Sequence, residues 1–226
     1  MEKRFDFVMI GPPGAGKGTQ RELLQNKYNL ETVVTGDLIR ELRAKAVDGD
    51  QLAMEIKKRY DQGIPQPDDV VIEAVRRKLS SLDLSRGVIF DAFPLSLGQA
   101  EGLEDLVKEF SLPEPIAFYV DITENESVER LSKRKLCPQC KRVFYPLSPN
   151  YDSNKCDVCG IELITRPDDK PEVVRRRYHQ YLERMQALKQ FYYEKGSLLR
   201  INGEQTVEDV FSEINDRLSD FLMRSK

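Results

Sequence analysis

Two short stretches concentrate the residues able to do chemistry. GPPGAGKGTQ (residues 11–20) sets glycines around Lys17, with a hydroxyl at Thr19. Glycines let successive backbone N–H groups curl around phosphate oxygens, a following helix N-terminus adds partial positive charge, and a lysine supplies a mobile cation. Gly11, Gly16 and Lys17 keep the general phosphate-loop spacing, but Gly18 follows the lysine and the hydroxyl comes one place later. The other content of such a segment is an ordinary Gly-rich turn between strand and helix. The second stretch, residues 137–160, holds all four cysteines as Cys-x2-Cys-x15-Cys-x2-Cys: Cys137, Cys140, Cys156 and Cys159. Each close pair can grip one side of a tetrahedral zinc ion, with sulfurs at ~2.3 Å. Four thiolates leave no open coordination position, so such a metal is structural rather than catalytic. Two disulfides are the alternative, and they suit a cytosolic chain poorly. A thioredoxin-type redox motif uses one such pair beside a strand–helix unit.

These residues need a frame. FDFVMI (5–10) reads as a short buried strand that feeds the Gly-rich loop, and a helix follows near Lys17–Lys27. Further apolar runs lie at 31–34, 88–90, 116–120 and 198–201, separated by helical patterns. The clearest pattern is Val174, Tyr178, Tyr181, Met185, Leu188 and Tyr192, stepping by four and three along one face. Strands alternating with helices predict a parallel sheet covered on both faces, with ligands at the carboxyl ends of its strands. Residues 35–65 (polar, helical, ending at the breaker-rich GIPQPDD) and 136–170 (the cysteines, Pro138, Pro146 and Pro149, little periodicity) fit this layering poorly and read as insertions at the ligand edge.

Composition narrows the function classes. A chain of 226 residues can bury a sizeable core without a staple. A net charge of −3 gives no general push toward nucleic acid. Lys141, Arg142 and Lys155 with Phe144, Tyr145 and Tyr151 make only a thin basic patch for a zinc-ribbon reading. His179 is the single histidine, so histidine-driven acid–base catalysis is not expected. The apolar run near the N-terminus is short for a signal peptide and none approaches the ~20 residues of a spanning helix, which predicts a cytoplasmic protein without membrane contact.

The form GPPGAGKGT resembles the phosphate loop of adenylate kinases, which interconvert ATP plus AMP and two ADP. The resemblance continues through TGDLIR (35–40), GVIFDAFPLSLGQA (87–100), ERLSKR (129–134), TRPDD (165–169) and VVRRRY (173–178), in the family's order. It implies a three-layer α/β P-loop NTPase core with a five-stranded parallel sheet at 1–34, 66–132 and 170–226, a helical NMP-binding insert at 35–65, and a zinc-binding lid at 133–169. By the same resemblance Gly14, Gly16, Lys17, Gly18 and Thr19 bind ATP. Arg130, Arg134, Arg166 and Arg177 surround the donor and transferred phosphates, with Arg166 and Arg177 also meeting AMP. Thr35 and Arg40 meet the acceptor nucleotide, and Gln99 reads its adenine. Asp91 orders Mg2+ through water, and Asp168 and Asp169 organise the arginines. Arginine suits these places because its planar fork binds two phosphate oxygens and stays charged. Each has a plainer alternative: a solvated surface charge, or for Asp91 a helix cap.

The acceptor side departs from the family pattern. Asp-Gly-Phe-Pro-Arg becomes Asp91-Ala92-Phe93-Pro94-Leu95, which removes an acceptor-phosphate clamp and a glycine. The implied enzyme is an adenylate kinase, monomeric, with a weakened AMP site or one rewired through Arg76, Arg77 or another base. A monophosphate kinase with another acceptor base and a catalytically weak nucleotide sensor are the alternatives.

Overall fold

The computed structural model describes residues 4–47, 49–146, 148 and 150–224; Pro149, one of the predicted breakers, lies outside them. The chain groups into two compact units, Met1–Ile10 with Gly16–Val120 and Arg184–Lys226, and Gly11–Ala15 with Asp121–Glu183.

The main sheet has the order β2-β3-β1-β4-β7, from β1 (Phe7–Ile10), β2 (Glu31–Val34), β3 (Val88–Asp91), β4 (Ile116–Asp121) and β7 (Leu198–Asn202). Neighbours run parallel, as the alternation with helices predicts. The three central strands β1, β3 and β4 are mostly apolar runs because both faces are covered: Phe7, Val8, Val88, Ile89, Phe90, Ala117 and Phe118 have no exposed surface. Around them run α1 (Lys17–Tyr28), α2 (Thr35–Ala44), α3 (Gln51–Asp61), α4 (Asp68–Leu79), α5 (Leu97–Glu109) and α8 (Val207–Arg224). Local chemistry starts these helices where the sequence allows. The side chains of Asp50 and Ser96 accept from the Ala53 and Gln99 N–H groups and so cap α3 and α5. Asn29 ends α1 in the left-handed region at φ 52°.

The expected strands all form. β1 starts at Phe7 rather than Phe5, while β3, β4 and β7 each run one residue further than their apolar runs. At the amino end of the sheet Asp6 is buried; one carboxylate oxygen accepts from the Val88 N–H at 2.7 Å and the other has no partner among the described residues. Burial pushes its carboxyl up from 3.8 to about 6, against the pull of the Val88 N–H and of Arg4.

The second unit is built on α6 (Glu124–Ser132), the start of α7 (Pro171–Glu194), and a small antiparallel pair, β5 (Lys135–Leu136) with β6 (Val143–Phe144). The α7 stripe read from sequence is real: Val174, Tyr178, Met185, Leu188 and Tyr192 are buried. The β5–β6 pair was not expected, because two-residue strands carry no periodicity to read. No helix among the described residues is long and apolar enough to cross a membrane.

Candidate active site

In the first unit the sheet's carboxyl edge gathers polar residues. Asp91 pairs in register with Met9 on one side and Val34 on the other, so the ends of β1, β2 and β3 lie level. Asp91 is 9% exposed in an otherwise apolar strand. Thr35 follows Val34 directly and opens α2; it is buried, and its hydroxyl has no partner among the described residues. Arg40 lies further along α2 and pairs with Asp37 at 2.5 Å, both side chains being mostly exposed. Gly16 holds φ 80° just before α1, a conformation costly for any residue with a Cβ. Lys17, Gly18 and Thr19 form the first turn of that helix, and Thr19 is exposed.

The loop after β3 is tightly braced. Ala92 sits at φ 58°, in the left-handed region where a glycine would be unstrained. The Gln99 side chain is buried and uses both ends of its amide: its oxygen accepts from the Leu95 N–H and its nitrogen donates to Asp68, each at 2.8 Å. The Ser96 hydroxyl donates to the other Asp68 oxygen at 2.7 Å. Here Gln99 holds the loop, and Asp68 is its partner, which the sequence did not single out. Leu95 is 38% exposed. Arg76 and Arg77, offered above as stand-ins for the missing arginine, are engaged elsewhere. Arg76 pairs with Glu73 at 2.6 Å and Glu109 at 2.9 Å, and Arg77 pairs with Asp50 at 2.8 Å. They stand at the far end of α4, ~12 Å along the axis from Asp68 at 1.5 Å per residue.

In the second unit, residues 11–15 seat on α6. The Ser127 hydroxyl, wholly buried, donates to the Pro13 carbonyl at 2.7 Å. Gly14 has φ 81°, and a Cβ there would stand 3.2 Å from Leu131 and 3.3 Å from the Ser127 carbonyl, so only glycine fits. Ser127 is a second residue that sequence reasoning missed; a serine inside a helix carries no signal of its own. The same helix carries Arg130, which pairs with Glu126 at 2.6 Å. Arg134 makes a two-pronged ion pair with Asp169 at 2.8 and 2.6 Å, with side chains only 13% and 4% exposed. Arg177 donates to the carboxylate and the carbonyl of Asp168 at 3.0 and 3.1 Å, and lies 3.9 Å from Asp169. Arg166 stands at the start of the 3-10 turn Pro167–Asp169 that carries both aspartates. One acidic pair thus joins Arg134 and Arg177 from two helical regions 43 residues apart (177 − 134).

The four cysteine sulfurs all lie within 4.8 Å of one another, with Cys140 and Cys156 at 3.6 Å, and none is in a disulfide. A tetrahedral ion with metal–sulfur bonds of ~2.3 Å needs sulfurs ~3.8 Å apart, so the cluster fits a bound metal. Each close pair is a turn of the same form. The Lys141 and Gly160 N–H groups donate back to the Cys137 and Cys156 carbonyls, with positive φ at both donors. The N–H groups of Cys140 and Cys159 face the sulfurs of Cys137 and Cys156. The Cys140 N–H, working against burial, holds the Cys137 thiol down at about 7, which favours the thiolate a metal needs. Phe144 and Leu163 pack against the cluster and make a core too small to stand alone.

Comparison with known proteins agrees with this arrangement. The adenylate kinase family model matches residues 9–197. An adenylate kinase from Archaeoglobus fulgidus is 39% identical over 211 residues, covering 93% of this chain and 96% of that protein. One from Thermotoga petrophila is 38% identical over 209 residues (92% and 94%), and one from Methanococcoides burtonii 36% over 217 (96% and 100%). With a family match over residues 9–197 and relatives 36–39% identical across nearly the whole chain, the chain belongs to the adenylate kinase family.

Proposed function

We propose that the chain moves the terminal phosphoryl group of ATP to AMP, giving two ADP, through the residues placed above. The observation that carries the assignment is the Asp168–Asp169 pair holding Arg134 and Arg177 together. Phosphoryl transfer asks the protein mainly for positioning and charge neutralisation, and a guanidinium fixed beforehand does both without reorganising. Gly14, Gly16, Lys17, Gly18 and Thr19 hold the donor phosphates. Arg130, Arg134, Arg166 and Arg177 neutralise charge on the moving group, and Arg166 and Arg177 also engage AMP. Thr35 and Arg40 hold the acceptor, and Gln99 fixes the loop beside it. Magnesium, bound with ATP, supplies further charge neutralisation, and Asp91 orders it through water.

Residues 35–65 serve as the acceptor insert and 133–169 as a lid, with the remaining segments as the core. Zinc held by Cys137, Cys140, Cys156 and Cys159 stiffens the lid so that its arginines move as one body. The chain works as a cytoplasmic monomer, without nucleic acid or membrane partners. Leu95 supplies no clamp, so the acceptor phosphate depends on Arg40 and a cation from elsewhere. The test is a coupled assay of ADP formation from ATP with AMP, GMP, CMP and UMP side by side. AMP is expected to give the highest kcat/KM. Equal turnover with another monophosphate would redirect the acceptor assignment, and ATP binding without turnover would mark a sensor.

A further inference from the structure

The clamp missing at position 95 has a candidate replacement on α1, beside the Asp91 that ends β3. Arg21 lies one turn into α1, and its side chain is only 16% exposed. Its Nε stands 3.7 Å from the Asp91 carboxylate, beyond hydrogen-bond reach, and has no hydrogen-bond partner among the described residues. One terminal nitrogen pairs with Glu22, which is 67% exposed and can let go at little cost. Asp91 opens the loop that carries Leu95 four residues later, a span of at most ~14 Å. Thr35, beside Asp91 through the Val34 register, keeps a buried hydroxyl without a partner. Arg21 Nε and the Thr35 hydroxyl are thus both near Asp91 and both open to a further hydrogen bond. The other two cations considered for the task pair with Glu73, Glu109 and Asp50 at the far end of α4.

We propose that Arg21 is the acceptor-specificity residue of this enzyme, closing on the phosphate of the nucleoside monophosphate in place of an arginine at position 95. The inference rests on the acceptor reading given above. When the dianionic phosphate arrives, the guanidinium turns from its long contact with Asp91 to a charged hydrogen bond with phosphate oxygens. No covalent step is added. The arrival of the acceptor also releases the Asp91 carboxylate from its neighbouring cation.

The test measures AMP affinity by calorimetry and KM for AMP and for ATP in the full-length enzyme and in Arg21→Ala, Arg21→Lys, Arg40→Ala, Leu95→Arg and the double variant Arg21→Ala/Leu95→Arg. Loss of one charged hydrogen bond predicts AMP affinity weaker by about 10–100-fold in Arg21→Ala. KM for ATP should stay within about threefold, and Arg21→Lys should fall between. Leu95→Arg alone should gain less than about threefold but recover at least about tenfold in the Arg21→Ala background. ATP affinity and thermal midpoint show whether Arg21→Ala is folded; if it is not, Arg21→Lys carries the comparison. Unchanged AMP affinity would overturn the proposal, and so would equal losses for AMP and ATP, which would make Arg21 a partner of Asp91 alone. If Arg40→Ala weakens AMP and Arg21→Ala does not, only this inference fails. If neither does, the acceptor assignment itself is wrong.

Discussion

The acceptor side of the first unit and the arginine cluster of the second hold their charges in opposite ways. Arg134 and Asp169 are nearly buried and joined by two short bonds. Arg40 and Asp37 are 58% and 69% exposed and joined by one. The same chemical pair is fixed in one place and loose in the other. A buried two-pronged pair is set before any ligand arrives, while an exposed one exchanges with water at little cost. The difference teaches that Arg134 is set in place by its partner while Arg40 keeps the freedom to exchange partners. It also explains where sequence departures can be borne. A change at Asp169 would strand a buried charge, whereas a change at Leu95 falls at a position already open to solvent.

That contrast can be broken or sharpened by experiment. The largest expected effect is metal removal. Chelation, or Cys156→Ser, should abolish one-to-one metal binding and amide protection across residues 135–164, because four sulfurs and a few apolar side chains make most of that segment's core. The strands from Phe7 to Ile10 and Ile116 to Asp121 should keep their protection in hydrogen exchange. Collapse of both together would deny the segment its separate stability. Next in size, Asp169→Ala leaves Arg134 buried without its partner and should cost about 3–5 kcal/mol in urea unfolding, with a matching fall in kcat. A loss below about 1 kcal/mol would mean that the arginines are not fixed by this pair.

Asp6 gives the first unit its own pH dependence. Its folded carboxyl holds a proton more tightly than the unfolded one, so its stabilisation is fully present below about pH 4 and is lost as pH rises through about 6. The displacement corresponds to at most about 3 kcal/mol. Asp6→Asn keeps an acceptor for the Val88 N–H and should flatten the urea midpoint between pH 4 and 7. An unchanged slope would assign the titration to another group. The smallest effect belongs to Asp37→Ala, which should shift stability by less than about 0.5 kcal/mol in thermal unfolding, as exposed pairs do. A cost comparable to that of Asp169→Ala would erase the distinction between the two regions.

Much of this was legible because the physics is local. The Gly-rich turn before α1 is built from contiguous residues, and each cysteine pair closes its own turn, so spacing along the chain reports both. The central strands β1, β3 and β4 are visible as apolar runs because strands covered on both faces are apolar nearly throughout. The α7 stripe survives for the same reason, being set by burial on one side of a helix. What failed to show was non-local. The bonds of Gln99 to Asp68, 31 residues away, and to the Leu95 N–H cannot be read along the chain. Arg76 and Arg77 looked available until Glu109 and Asp50 were found beside them.

The sequence by itself carried the family, the alternation of strands and helices that makes the sheet, and the spacing that brings four cysteines together. Tertiary structure alone decided which charged groups are committed and which are unmatched. Arg21 is one of 35 basic residues, and nothing in its neighbours along the chain marks it. Its meaning comes from the parallel register that brings β3 to its side, because pairing between distant segments is a property of packing that no short window of sequence contains.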